Sequence, residues 1–157
     1  METAGESKEK TTWIVQFKLS GEIWGIKFED IQEVIEKKEI TPVPKTPPFI
    51  IGIIHQRGKI ITVIDFAILM GKKPPGDEES KIVYLKSDQM DVGLLVRSKM
   101  STELIPERSL KEATLVKEDG TKEKLTLKRK LTLNNTLQLN LLEKDKVINF
   151  LKQYPFR

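Results

Sequence analysis

Few residues in this 157-residue chain have the types and spacing that catalysis or metal binding requires. His55 is the single histidine and cysteine is absent, which excludes a multi-histidine metal site and a thiol nucleophile. As a general base or phosphoacceptor, His55 would need a nearby acid or a nucleotide site, and the chain has no glycine-rich phosphate loop. The acidic run 77–79 is expected to be a solvated part of a loop. We therefore expect no enzymatic activity, no cofactor and no bound metal.

Arg57 is the strongest candidate for a functional residue. It precedes Gly58 between two β-branched apolar runs, 50–54 and 60–64, which predict the strands of a hairpin. Gly58 stands where such a turn needs a positive φ, but the turn does not need the arginine. A guanidinium at a hairpin tip presents a rigid fork of N–H donors to a carboxylate or to carbonyl groups. The pattern therefore predicts a docking surface.

Alternating apolar residues predict short strands along most of the chain. Short strands with closely spaced turns are typical of a small β-barrel or sandwich, and the pattern does not choose between one barrel and two. The polar loop 72–80 is the clearest internal boundary. Besides the central hairpin, the predicted strands are 13–19, 23–28, 81–85, 91–96, 101–105, 115–116, 123–127 and 136–142.

Little helix is predicted. Ile31, Val34 and Ile35 fall at i, i+3 and i+4 behind Asp30, a residue that often caps helices, and this predicts a short helical turn. The other helical segments are 66–70, between the cap Asp65 and the stop Gly71, and the amphipathic stretch 144–153.

Charge and hydropathy limit the class of protein. The net charge is +4, and no apolar run approaches the roughly 18 residues that a membrane span needs. The tail 1–11 is polar and is expected to be disordered, without the apolar core of a signal peptide. We expect a soluble, cytoplasmic protein that does not insert into a membrane. The basic stretch 117–130 leaves a nucleic-acid-binding small barrel as an alternative, although no interleaved aromatic residues support it.

Several segments share one resemblance. They are T-P-V-P and P-P-F-I-I-G-I-I followed by R-G-K-I-I-T-V-I-D in 41–65, W-I-V-Q-F-K-L-S-G-E-I-W-G-I in 13–26, D-I-Q-E-V-I in 30–35 and V-G-L-L-V in 92–96. In this order and spacing, over about 12–98, they resemble the CheW-like family, the coupling proteins of bacterial chemotaxis. The resemblance implies a mainly β fold of two five-stranded, SH3-like barrels that share a core, with a few short helices and a C-terminal helix. It also implies one domain over 12–157.

The resemblance further implies an adaptor without enzymatic activity. Such a protein links the cytoplasmic tips of chemoreceptors, the methyl-accepting proteins, to the regulatory domain of the chemotaxis histidine kinase. An excised regulatory domain of such a kinase is a second alternative. The positions implied to bind partners are Ile31 towards the receptor, Glu33 towards the kinase, Gly52, Arg57 and Gly58 around the receptor and signalling surface, and Gly93 and Leu94 in the strand that lines the receptor groove.

Three residues depart from the family pattern. His55 and Gln56 stand where an asparagine and a leucine usually precede Arg-Gly. Arg97 follows V-G-L-L-V where the family usually has an acid, and so reverses a local charge.

Overall fold

The computed structural model describes residues 10–74, 76, 79–111, 114–115, 128–133 and 137–154. Strands dominate this part of the chain, with a 3₁₀ helix at Phe28–Asp30. The strands are β1 (Thr11–Leu19), β2 (Glu22–Lys27), β3 (Ile31–Glu36), β4 (Ile50–Gln56), β5 (Lys59–Asp65), β6 (Ser80–Leu85), β7 (Val92–Arg97), β8 (Ser101–Pro106), β9 (Thr114–Leu115), β10 (Lys128–Leu133) and β11 (Leu137–Leu142). The helices are α1 (Phe66–Leu69), α2 (Glu107–Lys111) and α3 (Lys144–Leu151).

The strands form two sheets, and these are the two predicted barrels. The first barrel is six-stranded, in the order β8-β1-β2-β11-β10-β9, one strand more than expected. The second barrel is five-stranded, in the order β3-β6-β7-β5-β4. Neighbours are antiparallel except at β2 with β11 and at β5 with β7. The chain passes from the first barrel to the second and back, so strands from both ends of the chain complete the first barrel, whereas the second is built from the consecutive strands β3 to β7.

Several strands, β1 among them, divide their side chains between two cores, because successive side chains point to opposite faces. In β1, Ile14 packs inside the first barrel, whereas Val15 and Phe17 face a larger core between the barrels. The predicted shared core is confirmed. Its buried residues include Val15, Phe17, Leu19, Trp24, Ile26, Ile31, Ile50, Ile64, Phe66, Val83, Leu85, Val92, Leu94, Val96, Leu142, Val147, Ile148, Phe150 and Leu151.

The helical turn predicted behind Asp30 is wrong, because Ile31–Glu36 is strand β3, paired with β6. A spacing of four residues suits one helical face, but here a β-bulge lies between Ile31 and Glu33. The bulge turns Ile31 to the shared core, whereas Ile35 enters the second barrel. Both isoleucines are therefore buried on opposite faces of a strand, and Val34 is 40% exposed.

The central hairpin, α1 and α3 follow the sequence closely. β4 and β5 are joined by Arg57 and Gly58, and Gly58 has the expected positive φ of 81°. Asp65 caps α1 by accepting the backbone N–H of Ile68, and Gly71, at φ 74°, ends that helix. The apolar face of α3 closes one side of the shared core.

Some predictions have other outcomes. β1 begins at Thr11, inside the predicted tail 1–11. Strand β10 was not predicted, because the three basic residues Lys-Arg-Lys at its start interrupt the alternation of apolar and polar residues that marks a strand. The predicted strand 123–127, its hairpin turn 118–120 and most of the acidic run 77–79 lie outside the described residues.

We predict that two glycines tolerate no side chain. A Cβ at Gly93 would lie 2.6 Å from Ile82 Cγ2, so Gly93→Ala should lower the free energy of unfolding by about 1–3 kcal/mol. Gly52→Ala should cost more, because its Cβ would meet the Thr41 carbonyl at a φ of 151°. Urea denaturation measures both. Gly76→Ala is the control, since its Cβ meets nothing within 4 Å. A Gly93→Ala protein as stable as that control would contradict the packing of β7 against β6.

Candidate docking surface

Arg57 projects from the tip of the second barrel. It has a positive φ of 50°, and with Gly58 it forms a two-residue turn closed by the pairing of Gln56 with Lys59. Positive φ at both turn residues matches the right-handed twist of the flanking strands. The side chain of Arg57 is 76% exposed. The turn thus holds a guanidinium in solvent on a fixed backbone.

Glu33, on β3, meets this guanidinium through two contacts. Arg57 Nη2 lies 3.2 Å from Glu33 Oε2, and Arg57 Nε donates to Oε1 at 3.4 Å. The hydrogen bond from Arg57 lowers the pKa of Glu33 below its ordinary 4.5, and the carboxylate raises the pKa of Arg57. Sequence reasoning had assigned these two residues separate partner-facing roles. The structure brings them together as one bidentate ion pair.

Gln56 and Lys38 extend the ion pair into a network. Gln56 Nε2 donates to Glu33 Oε2 at 3.2 Å, and its Oε1 accepts from Lys38 Nζ at 2.9 Å. Lys38 also donates to the backbone carbonyl of His55 at 2.7 Å. Neither Lys38 nor Gln56 was identified from the sequence as a member of this network. The one signal was the departure from the family pattern at His55 and Gln56, which includes Gln56 but not Lys38.

Exposed apolar side chains occur next to these charges in the chain. Val34 follows Glu33, and Ile60, which is 55% exposed, is the second residue of β5. Protein interfaces commonly combine a few apolar or arginine anchors with a polar surround. The tip of the second barrel carries both kinds of group.

The first barrel exposes a second group of apolar side chains, which lie on a different sheet from the hairpin tip. Trp13 and Leu104 are directly opposite each other on β1 and β8, and each is about half exposed. Phe28, just after β2, is exposed to a similar extent. Trp24, by contrast, is buried in the shared core.

Four of the positions expected to bind partners are buried. Gly52 and Gly93 lie inside strands β4 and β7, Leu94 has no exposed surface, and Ile31 packs in the shared core. Buried positions can influence docking only by shaping the surface above them. Glu33, Arg57 and Gly58 are therefore the accessible members of the predicted set, and all three belong to the hairpin tip and its neighbouring strand.

Arg97 turns inward. Its Nη2 lies 2.6 Å from Oδ2 of Asp65, which is fully buried and also caps α1. The Arg97 side chain is only one-fifth exposed. The charge reversal at the end of V-G-L-L-V thus neutralises a buried carboxylate.

The described residues contain no group of three or more histidine, aspartate and glutamate side chains that could hold a metal ion. His55 has an exposed side chain, and only its carbonyl joins the network. Within the same part of the chain, no helix is long and apolar enough to cross a membrane. Of the basic stretch 117–130, only the last three residues are described, at the start of β10.

Comparison with known proteins agrees with this architecture. A family model described as a CheW-like domain matches residues 14–131. The chemotaxis protein CheW of Thermotoga maritima is 30% identical over 118 residues, covering 68% of this chain and 78% of that protein. The CheW of Klebsiella aerogenes is 31% identical over 81 residues, which are 51% of this chain and 49% of that protein.

A solved structure extends the likeness to nearly the whole chain. The scaffolding protein TtCheW from Thermoanaerobacter tengcongensis superposes with a TM-score of 0.72 at 27% identity, covering 90% of each chain. The fold and the site thus define a two-barrel scaffold with an exposed, charged hairpin tip. The chain belongs to the CheW-like family of chemotaxis adaptor proteins.

We predict that the inward ion pair stabilises the fold far more than a surface pair does. Arg97→Met leaves the buried carboxylate of Asp65 without its cation and should lower the free energy of unfolding by about 3–5 kcal/mol. Lys81→Met removes an exposed pair with Glu36 on the same sheet and should cost about 0–1 kcal/mol. Chemical denaturation compares the two variants. Equal losses would show that Arg97 does not hold a buried charge.

Proposed function

We propose that this protein is a non-enzymatic, cytoplasmic adaptor that couples the cytoplasmic tips of chemoreceptors to the regulatory domain of the chemotaxis histidine kinase. Membership of the CheW-like family supports the role, and so does the likeness to a scaffolding protein across nine-tenths of the chain. In this role the chain acts by binding two proteins, and its chemistry is that of an interface.

The observation that carries the proposal is the ion pair between Glu33 and Arg57, whose side chain is 76% exposed. A hairpin tip needs no arginine, and an ion pair at the protein surface contributes only about 0–1 kcal/mol to stability. Folding alone therefore explains little of this arrangement. A guanidinium fixed on a rigid turn loses little conformational entropy on docking, and arginine is enriched among the residues that dominate binding energy.

The network leaves Arg57 able to bind a partner. Glu33 engages the edge of the guanidinium that carries Nε and Nη2. The opposite edge, with Nη1, takes no part in this ion pair, and the Arg57 side chain as a whole is 76% exposed. A carboxylate or a pair of carbonyl groups on a partner would meet this edge, while the exposed side chain of Ile60, at the start of β5, supplies apolar contact.

We predict that Arg57→Glu weakens docking without unfolding the protein. If Arg57 is an anchor of the interface, charge reversal should cost about 2–4 kcal/mol of binding free energy. Isothermal titration with a receptor cytoplasmic tip and, separately, with a kinase regulatory domain measures the loss, and circular dichroism checks the fold. Because Arg57 is exposed, the spectrum should not change.

Lys152→Glu is the matched control, because it makes the same charge change at an exposed residue after α3. It should bind like the wild type. Equal weakening by both variants would indicate a general charge effect, and an unchanged affinity of Arg57→Glu for both partners would remove Arg57 from the interface. A wild-type protein that binds neither partner would refute the adaptor role.

A further inference from the structure

The amide of Gln56 bridges two opposite charges. Its Nε2 donates to Glu33 Oε2, and its Oε1 accepts from Lys38 Nζ, at 3.2 and 2.9 Å. The same lysine is anchored on the carbonyl of His55, so the amide is held at both ends. Glu33 therefore has a donor that does not depend on Arg57.

This second donor lowers the free-energy cost of drawing the Arg57 guanidinium away from Glu33 and onto a partner. The Glu33 side chain is only 27% exposed, and a carboxylate in that position is destabilised when its hydrogen-bond donors leave. If Arg57 were its only partner, a docking protein that drew the guanidinium away would leave the carboxylate unpaired. With Gln56 and the charge of Lys38 in place, Glu33 keeps a hydrogen bond and a nearby cation.

We propose that Gln56, held by Lys38, is a positioning residue of the docking surface: it fixes Glu33 independently, so that the Arg57 guanidinium can turn to a carboxylate of the partner. This inference rests on the proposed adaptor function. A leucine at position 56, the residue that the family pattern favours, cannot hold Glu33 in this way.

The first test needs no partner. Carboxyl-detected NMR titration gives the pKa of Glu33 in the wild type, Gln56→Leu, Arg57→Gln and the double variant. We expect the pKa of Glu33 to be lower in Arg57→Gln than in the double variant, because Gln56 still donates to the carboxylate in the single variant, whereas the burial that raises this pKa acts in both. Equal pKa values of Glu33 in Arg57→Gln and in the double variant would overturn the proposal.

The second test is a double-mutant cycle on affinity for the receptor tip and for the kinase regulatory domain. Gln56→Leu should weaken binding by about 2-fold to 10-fold, the effect of one hydrogen bond, and should have no further effect in the Arg57→Gln background. Gln138→Leu, the same substitution at an exposed position on β11, should bind like the wild type.

Three results would overturn this role of Gln56. They are additive losses, which would make Gln56 a direct contact, an unchanged affinity of Gln56→Leu, and tighter binding by that variant. A wild type that binds neither partner would instead refute the adaptor function, and the titration of Glu33 would still decide whether Gln56 fixes the carboxylate.

Discussion

The shared apolar core is the constraint on which the rest of the structure depends. Each barrel is too small to bury much surface by itself, and among the described residues the interior of the first barrel contains five buried side chains, Ile14 and Leu139 among them. The strands place their other faces against each other, and α3 closes the remaining side. Burial of each large apolar residue contributes about 1.5–3 kcal/mol, so separating the barrels would expose the shared core to water and lose most of the favourable free energy of folding. The two barrels are therefore fixed in position relative to each other.

Because the barrels are rigid, the hairpin tip is held in one conformation, as a preorganised docking surface should be. β5 leads from Arg57 directly into the shared core through Ile64, and it ends at Asp65, whose charge Arg97 neutralises. The tip is therefore held at its base by burial and at its side by Glu33. Interactions between solvent-exposed charges contribute little to the stability of the fold, but a preorganised surface reduces the conformational entropy lost when a partner binds. The adaptor function that we propose uses this preorganisation in place of a catalytic site.

The sequence pattern predicted most of the strands and turns because strand alternation and turn chemistry are local, whereas the two-barrel architecture was implied by the resemblance to the CheW-like family. The hairpin at Gly58 and the cap at Asp65 need only neighbouring residues, and both are present. β3 was misread because a bulge, which no local pattern announces, buries Ile31 and Ile35 on opposite faces. The site was predicted only in part for a related reason. Contacts such as Gln56 with Glu33, 23 residues apart, arise from barrel closure, and spacing in the sequence does not encode them.

The most direct test of the central claim is an NMR footprint on the isotope-labelled protein. Unlabelled receptor tip and kinase regulatory domain are added separately, and the backbone amide shifts are followed. The account predicts that at least one partner perturbs the amides of Glu33, Gln56, Arg57 and Gly58 first, while those of the shared core change little. Perturbations confined to the other exposed apolar group, around Trp13 and Leu104, would contradict it, as would the absence of any perturbation by both partners.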